Sequence, residues 1–90
     1  MEKIIVEHNP SQQRLKELGV LSGPEWSCDV SEFDWEYDSR ETCHFLEGHV
    51  IVKTDAGETE IKAPDAAIFP QGLKCRWRVL SPVRKIYSFD

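Results

Sequence analysis

The chain has 90 residues, with 11 basic and 16 acidic side chains and a formal net charge of -5. That length fits one domain, residues 1–90, which buries roughly two thirds or less of the surface its unfolded form exposes, so self-association is expected. The acidic balance argues against a nucleic-acid footprint, no apolar run approaches the roughly 18 residues of a membrane helix, and three cysteines without a C-x-x-C pair fit a reducing, cytoplasmic setting.

Residues 3–7 (KIIVE) predict a first strand. Asn9-Pro10-Ser11-Gln12 predicts a helix start, with Asn9 as cap, Pro10 at the first helical position and Gln12 completing a capping box. Leu15 and Leu18 give this helix one apolar stripe, and Gly19 stops it. At about two turns it needs docking to persist. Gly23-Pro24 breaks the chain. Residues 26–30 and 33–37 then alternate apolar with polar, as strands do. Residues 42–46 and 50–54 read as two strands on either side of Gly48. Asp55-Ala56-Gly57 is a hairpin turn, with glycine where a positive φ is needed. Residues 59–62 return, residues 67–69 form a short apolar strand, and Pro70-Gln71-Gly72 turns the chain again. Residues 74–80 alternate until Ser81-Pro82, and residues 84–89 are a last strand. The basic residues Lys74, Arg76, Arg78, Arg84 and Lys85 are interleaved with apolar ones, which places them on a solvent face. About eight short strands separated by glycine or proline indicate an all-β sandwich or closed barrel.

In a barrel every second residue of a strand faces inward. One parity unites Trp35, Tyr37, Glu41, Cys43 and Phe45, and on a later strand Cys75, Trp77 and Val79. A glutamate is thereby sent into an aromatic, sulfur-bearing interior, where an unpaired carboxylate is costly. Glu41 is a candidate general acid or base, expected to be partly wet, hydrogen-bonded to Tyr37, or shifted upward in pKa. The alternative is a structural carboxylate paired with Arg40 or Arg76 at the barrel mouth. Cys75 as a nucleophile needs a base or a positive field; otherwise it is a buried inert thiol. Cys28 and Cys43 read as core fillers. His44 has the parity opposite to Glu41 and points away from the lumen. His49 follows the turn glycine and His8 precedes the helix, so all three histidines belong at the surface or an interface.

These residues resemble the cupin superfamily. The first cupin motif is two histidines one residue apart, a glutamate four or five later, then six residues and a glycine. Glu41 and Gly48 hold the last two positions, while Trp35 and Tyr37 stand where the histidines would be. The second motif is glycine, five residues, proline, one residue, glycine, two residues, histidine. Pro70 and Gly72 match it, with Pro64 at the leading glycine and Cys75 at the histidine. The runs FDWEYDSRETCHFLEG, FPQGLKCRW and PVRKIY are similar to the small single-domain cupins grouped with ureidoglycine aminohydrolase and the ethanolamine-utilisation Q proteins.

The resemblance spans roughly residues 26–89. It implies an all-β double-stranded β-helix, or jelly-roll barrel, with one short N-terminal helix outside. In ordinary cupins the three histidines and the glutamate hold a divalent metal such as Zn, Fe, Ni or Mn. Here the metal candidates reduce to Glu41 and Cys75, short of the roughly three protein ligands of a catalytic site. The expected ligand pocket comprises Trp35, Tyr37, Glu41, Phe69, Cys75 and Trp77, with Glu41, Tyr37 and Cys75 as catalytic candidates. Rings around one carboxylate suit a small cationic or hydroxylated metabolite. Two other functions fit the same residues. One is an aminohydrolase-like or otherwise metal-assisted enzyme on a small nitrogenous or sugar-like substrate, with Glu41 as acid or base. The other is a structural homodimer acting through outward residues such as His44 and Leu46.

Overall fold

Two long strands carry the architecture. The computed structural model describes residues 3–89. Its elements are β1 (Ile5–Glu7), α1 (Gln12–Leu18), β2 (Glu25–Cys28), β3 (Ser31–Glu36), β4 (Glu41–Thr54), β5 (Gly57–Lys62), β6 (Ala66–Phe69) and β7 (Lys74–Phe89). β4 and β7 pair antiparallel from Glu41↔Phe89 to Lys53↔Arg76. The first part of β4 also pairs with β6, and its last part with β5. The last part of β7 pairs with β2, and its first part with β3. β1 extends the β6 edge. Each long strand therefore serves two layers, one running β1-β6-β4-β7-β2 and the other β5-β4-β7-β3.

The two positions read as strand breaks are bends within continuous strands. The β4–β7 register shifts between Phe45 and Val50, opposite Val79 to Lys85. A bulge re-aims a strand without ending its ladder, and proline is tolerated at such a point because the missing N–H bond is not needed there. Gly48 sits at the corner with φ 107°, and a Cβ on it would lie 2.6 Å from the Pro82 carbonyl oxygen and 2.7 Å from Val83 Cα. The two bends are packed backbone to backbone. Residues 42–46 and 50–54 are thus one strand, as are residues 74–80 and 84–89. The shorter strands fall close to expectation, with β2 ending at Cys28 and β3 at Glu36 rather than Val30 and Tyr37.

Helix α1 starts two residues later than expected. Ser11, not Asn9, is the N-cap, its Oγ accepting from Arg14 N–H at 3.1 Å. Asn9 instead takes φ 46° in the preceding turn. Gln12 is consequently the first helical residue and completes no capping box; the third position is Arg14, whose guanidinium grips Glu7 at 2.7 and 2.8 Å. At the far end the Gly19 N–H donates to Lys16 O at 3.1 Å and the Val20 N–H to Leu15 O at 3.0 Å. This pair of bonds is a Schellman closure, and Leu15 and Val20 supply its hydrophobic contact. Both dock on Ala66 and Ile86 on the outer surface of the barrel, with Leu18 and Leu46 at the margin. Docking supplies what so short a helix lacks on its own.

Inside, alternate residues of every long strand converge. Phe45, Val50, Val52, Ile61, Ala67 and Phe69 have no solvent exposure, and Trp77 sits among them. Trp77 is the hub: Phe33, Phe45 and Phe69 lie 6.0, 6.1 and 5.7 Å from it, centroid to centroid. Outside, Arg76 reaches Glu32 and Asp34 at 2.6 and 2.8 Å, and Arg84 reaches Glu47 and Glu25 at 2.7 and 3.1 Å. These cross-strand pairs occupy the solvent face that the alternation indicates, where water and salt screen them and they add little to stability.

The corner yields a stability prediction. Gly48→Ala should cost about 2 kcal/mol or more in urea unfolding, because backbone atoms cannot yield to the new methyl group. Gly72→Ala places a residue at φ 84° in open space and should cost only about 1 kcal/mol. Equal losses at the two sites would show that the corner is not tightly packed.

Candidate functional site

The register of β4 against β7 builds the site. It sets Phe45 opposite Lys85, Cys43 opposite Tyr87 and Glu41 opposite Phe89. All six lie on the parity that faces the lumen. Lys85 Nζ donates to Glu41 Oε2 at 2.6 Å, and the Cys43 thiol donates to the same oxygen at 3.1 Å. Nζ also lies 3.6 Å from Cys43 Sγ. The side chains of Lys85 and Glu41 are each only 6% exposed.

A buried ion pair loses several kcal/mol of hydration per ion, which Coulomb attraction repays only with good geometry and further contacts. Rings provide those contacts here. Lys85 Nζ stands 4.8 Å from the Trp77 centroid, 5.1 Å from Trp26, and 5.9 Å from both Phe45 and Phe69. Their negative faces stabilise an ammonium that keeps little contact with solvent.

A cavity of about 420 Å³ opens over this pair, within the range of small-molecule pockets. Phe33, Tyr37, Trp77 and Tyr87 wall it, Cys28 contributes to the wall, and Trp26, Trp35 and Phe89 form an exposed aromatic rim. Trp35 meets Tyr37 edge to face at 6.4 Å, and Tyr37 stacks on Phe69 at 4.8 Å. The Trp77 Nε1 is buried and has no hydrogen-bond partner. It faces the Tyr37 hydroxyl and the Cys75 thiol and offsets a small part of the rise that burial imposes on both, but makes no hydrogen bond to either.

Burial governs the titration of the neutral groups. It drives the Tyr37 hydroxyl far above the usual phenol range, and the nearby Glu41 charge adds to the rise. It drives the Cys43 thiol well up, against the opposing pull of Lys85. The Cys75 thiol is pushed up to about 11, again chiefly by burial. All three are therefore protonated at neutral pH.

The structure gathers Trp35, Tyr37, Glu41 and Trp77 around one cavity. Phe69 stands behind Tyr37 as its stacking partner and is fully buried. Cys75 is buried nearby, but its thiol turns to the Trp35 carbonyl at 3.7 Å and borders a shallow surface hollow with Asp34, Lys53 and Arg76. Cys43 and Cys28 are not mere fillers, since one bonds Glu41 and the other lines the cavity.

Lys85 overturns its expected place on the solvent face. Only its neighbour Arg84 is outside, held by Glu25 and Glu47. The signal was the parity of Val83, Lys85, Tyr87 and Phe89, which puts one lysine in an apolar row. It was obscured by the adjacent Arg84 and by ending the preceding strand at Pro82. The partner of Glu41 is accordingly Lys85, while Arg76 is held by Glu32 and Asp34. The histidines lie away from the lumen. His8 meets Asp65 at 3.2 Å and His49 meets Glu60 at 2.7 Å, while His44 is half-buried, with its pKa held low by burial.

The donor set does not fit the divalent metal that the cupin resemblance implies. Among the described residues no three His, Cys, Asp or Glu side chains converge. The one lumenal carboxylate already faces an ammonium at 2.6 Å, and a second cation there would meet a fixed positive charge in a medium of low dielectric. The neighbouring thiols are held protonated, whereas a metal takes thiolates.

Residues 15–87 match the family model of the EutQ-like cupin domain. A DUF861 family protein from Thermotoga maritima is similar over 98% of this chain and 100% of its own, at 48% identity and a TM-score of 0.90. A putative ethanolamine utilization protein Q from Salmonella typhimurium matches 70% of this chain and 51% of its own, at 25% identity and a TM-score of 0.64. The EutQ protein of Clostridium difficile shares the fold, at 21% identity and a TM-score of 0.64, over 70% of this chain and 46% of its own. The chain thus spans about half the length of these two EutQ proteins. None of the curated proteins matches. No helix among the described residues is long and apolar enough to cross a membrane.

Two predictions follow from the geometry. Lys85→Met and Glu41→Gln should each cost about 3–5 kcal/mol in chemical denaturation, since each removes one partner of a buried pair. Combining Lys85→Met with Glu41→Gln should cost clearly less than the sum of the two single changes; strict additivity would show that the pair is not coupled. In native thiol labelling at neutral pH, Cys28 should react first while Cys43 and Cys75 stay protected, because their raised pKa values leave little thiolate. Fast modification of Cys43 would contradict the full burial of its thiol.

Proposed function

The chain belongs to the EutQ-like cupin domain family, and from that premise we propose that its barrel binds a small metabolite without a metal, anchored by the Lys85–Glu41 pair. The observation that carries this reading is an ion pair at the floor of an open, aromatic cavity. Such a pair gives no clear stability advantage over apolar residues of similar size. At a cavity floor it supplies what apolar walls lack, a charged donor beside a charged acceptor.

The ligand follows from the inventory of bonds. Lys85 offers three N–H donors, directed so far to Glu41 and Cys43. A carbonyl, hydroxyl or carboxylate oxygen suits the remaining donor, and the buried Trp77 N–H is a second donor in the same wall. The rings favour a flat, apolar body. The ammonium disfavours the cationic ligand that rings around a lone carboxylate would suit, so the class narrows to compact molecules carrying an oxygen acceptor.

The test is thermal melting with benzoate, benzyl alcohol and benzylamine as probes. At about a hundred-fold excess over Kd, a binder contributes about 2.7 kcal/mol, which is a rise on the order of 10 °C for a domain of this size. Benzoate and benzyl alcohol should raise Tm and benzylamine should not. The rise should vanish in the Lys85→Met/Glu41→Leu variant. A flat response to all three, or a rise that survives this variant unchanged, would remove the reading.

A further inference from the structure

Lys85 combines features that simple retention of an oxygen-bearing ligand does not require. It lines an open cavity, while the other described lysines, Lys3, Lys16, Lys53, Lys62 and Lys74, are exposed. A carboxylate oxygen stands 2.6 Å from it, within reach for direct proton transfer. Four rings hold a cation at that point. An amine, a proton carrier at contact distance and a largely apolar chamber are the parts that condensation of an amine with a carbonyl needs.

We propose that Lys85 is a nucleophilic amine that forms an imine with a small aldehyde or ketone entering the aromatic cavity, with Glu41 carrying the protons. The proposal deepens the binding reading and rests on it, and it narrows the acceptor-bearing ligand to a carbonyl compound.

The steps balance within the pair. Glu41 takes one proton from the Lys85 ammonium. The freed nitrogen lone pair attacks the carbonyl carbon; the C–N bond forms, and the C=O π pair moves to oxygen, which takes the proton back from Glu41. Glu41 then removes a second proton from nitrogen and delivers it to the hydroxyl. Water leaves as the nitrogen lone pair closes the C=N bond. The net change is ammonium plus carbonyl to iminium plus water, with no oxidant or reductant consumed. The product carries the same positive charge as the reactant, so the Glu41 contact and the surrounding rings serve the iminium as they serve the ammonium. The rings also shield the product from the water that would hydrolyse it.

The experiment treats the folded protein with benzaldehyde and sodium cyanoborohydride at neutral pH and maps benzylated lysines by peptide mass spectrometry. Lys85 should be modified about ten-fold or more faster than any of the five exposed lysines, as expected for a positioned amine. Glu41→Gln should slow modification of Lys85 by about a hundred-fold and leave the exposed lysines unaffected. The wild-type map decides the matter even if that variant folds poorly: modification of exposed lysines with Lys85 untouched overturns the proposal. So does undiminished modification of Lys85 in folded Glu41→Gln protein. Benzyl alcohol, which has the same ring and cannot condense, separates the two readings. If it raises Tm while benzaldehyde leaves Lys85 unmodified, the cavity binds and the imine proposal fails. If neither molecule has any effect, both fail.

Discussion

The barrel is organised around a charge that it cannot hydrate. The Lys85 ammonium lies in the lumen, and everything within reach of it either carries the opposite charge, donates to that charge, or presents the face of a ring. This one constraint accounts for several otherwise unrelated residue choices. Glu41 is inward because Lys85 is. Cys43 is a small donor where a larger side chain would separate the ions. Trp77 occupies the centre because it meets the ammonium with one face and packs Phe33, Phe45 and Phe69 around itself. The chain keeps the cupin barrel while its residues supply an internal cation in place of a set of metal ligands.

The position of that charge depends on a corner. β4 and β7 must both bend for their inner faces to enclose a lumen, and they bend against each other. Gly48 permits a backbone approach that no side chain would allow, and Pro82 interrupts β7 at the matching point. Beyond the corner, the β7 residues Val83, Lys85 and Tyr87 face the lumen, while Ile86 on the opposite face anchors α1 through Leu15 and Val20. The helix outside and the amine inside are thus fixed by adjacent residues of a single strand.

Much of this was legible from period-two patterning. The strand content and the inward turn of Glu41 follow from which residues alternate, and the hairpin at Gly57 from its turn residues. The cupin resemblance supplied the jelly-roll barrel into which those strands close and the place of the helix outside it. Two kinds of information escaped the sequence. Glycine and proline mark a change of direction, but whether a strand ends or bends there depends on a partner more than thirty residues away. Charge was the other: a lysine next to an arginine reads as solvated, and only the whole row Val83-Lys85-Tyr87-Phe89 reveals the exception. Cys75 shows the reverse error. Its parity is inward, yet a local bond to the Trp35 carbonyl turns the thiol aside, a detail that no pattern encodes.

The long β4–β7 ladder also governs when the molecule can exist at all. Glu41 finds its strand partner at Phe89 and its counter-ion at Lys85, whereas only the β4–β5 hairpin closes locally. Topologies dominated by such distant pairings assemble slowly, on the order of milliseconds to seconds. A chain emerging from the ribosome would hold Glu41 as a solvated carboxylate, with half of the barrel unzipped, until residues 83–89 had been made. Strand β7 thus delivers at once the closure of the hydrophobic interior and the positive charge on which that interior is centred.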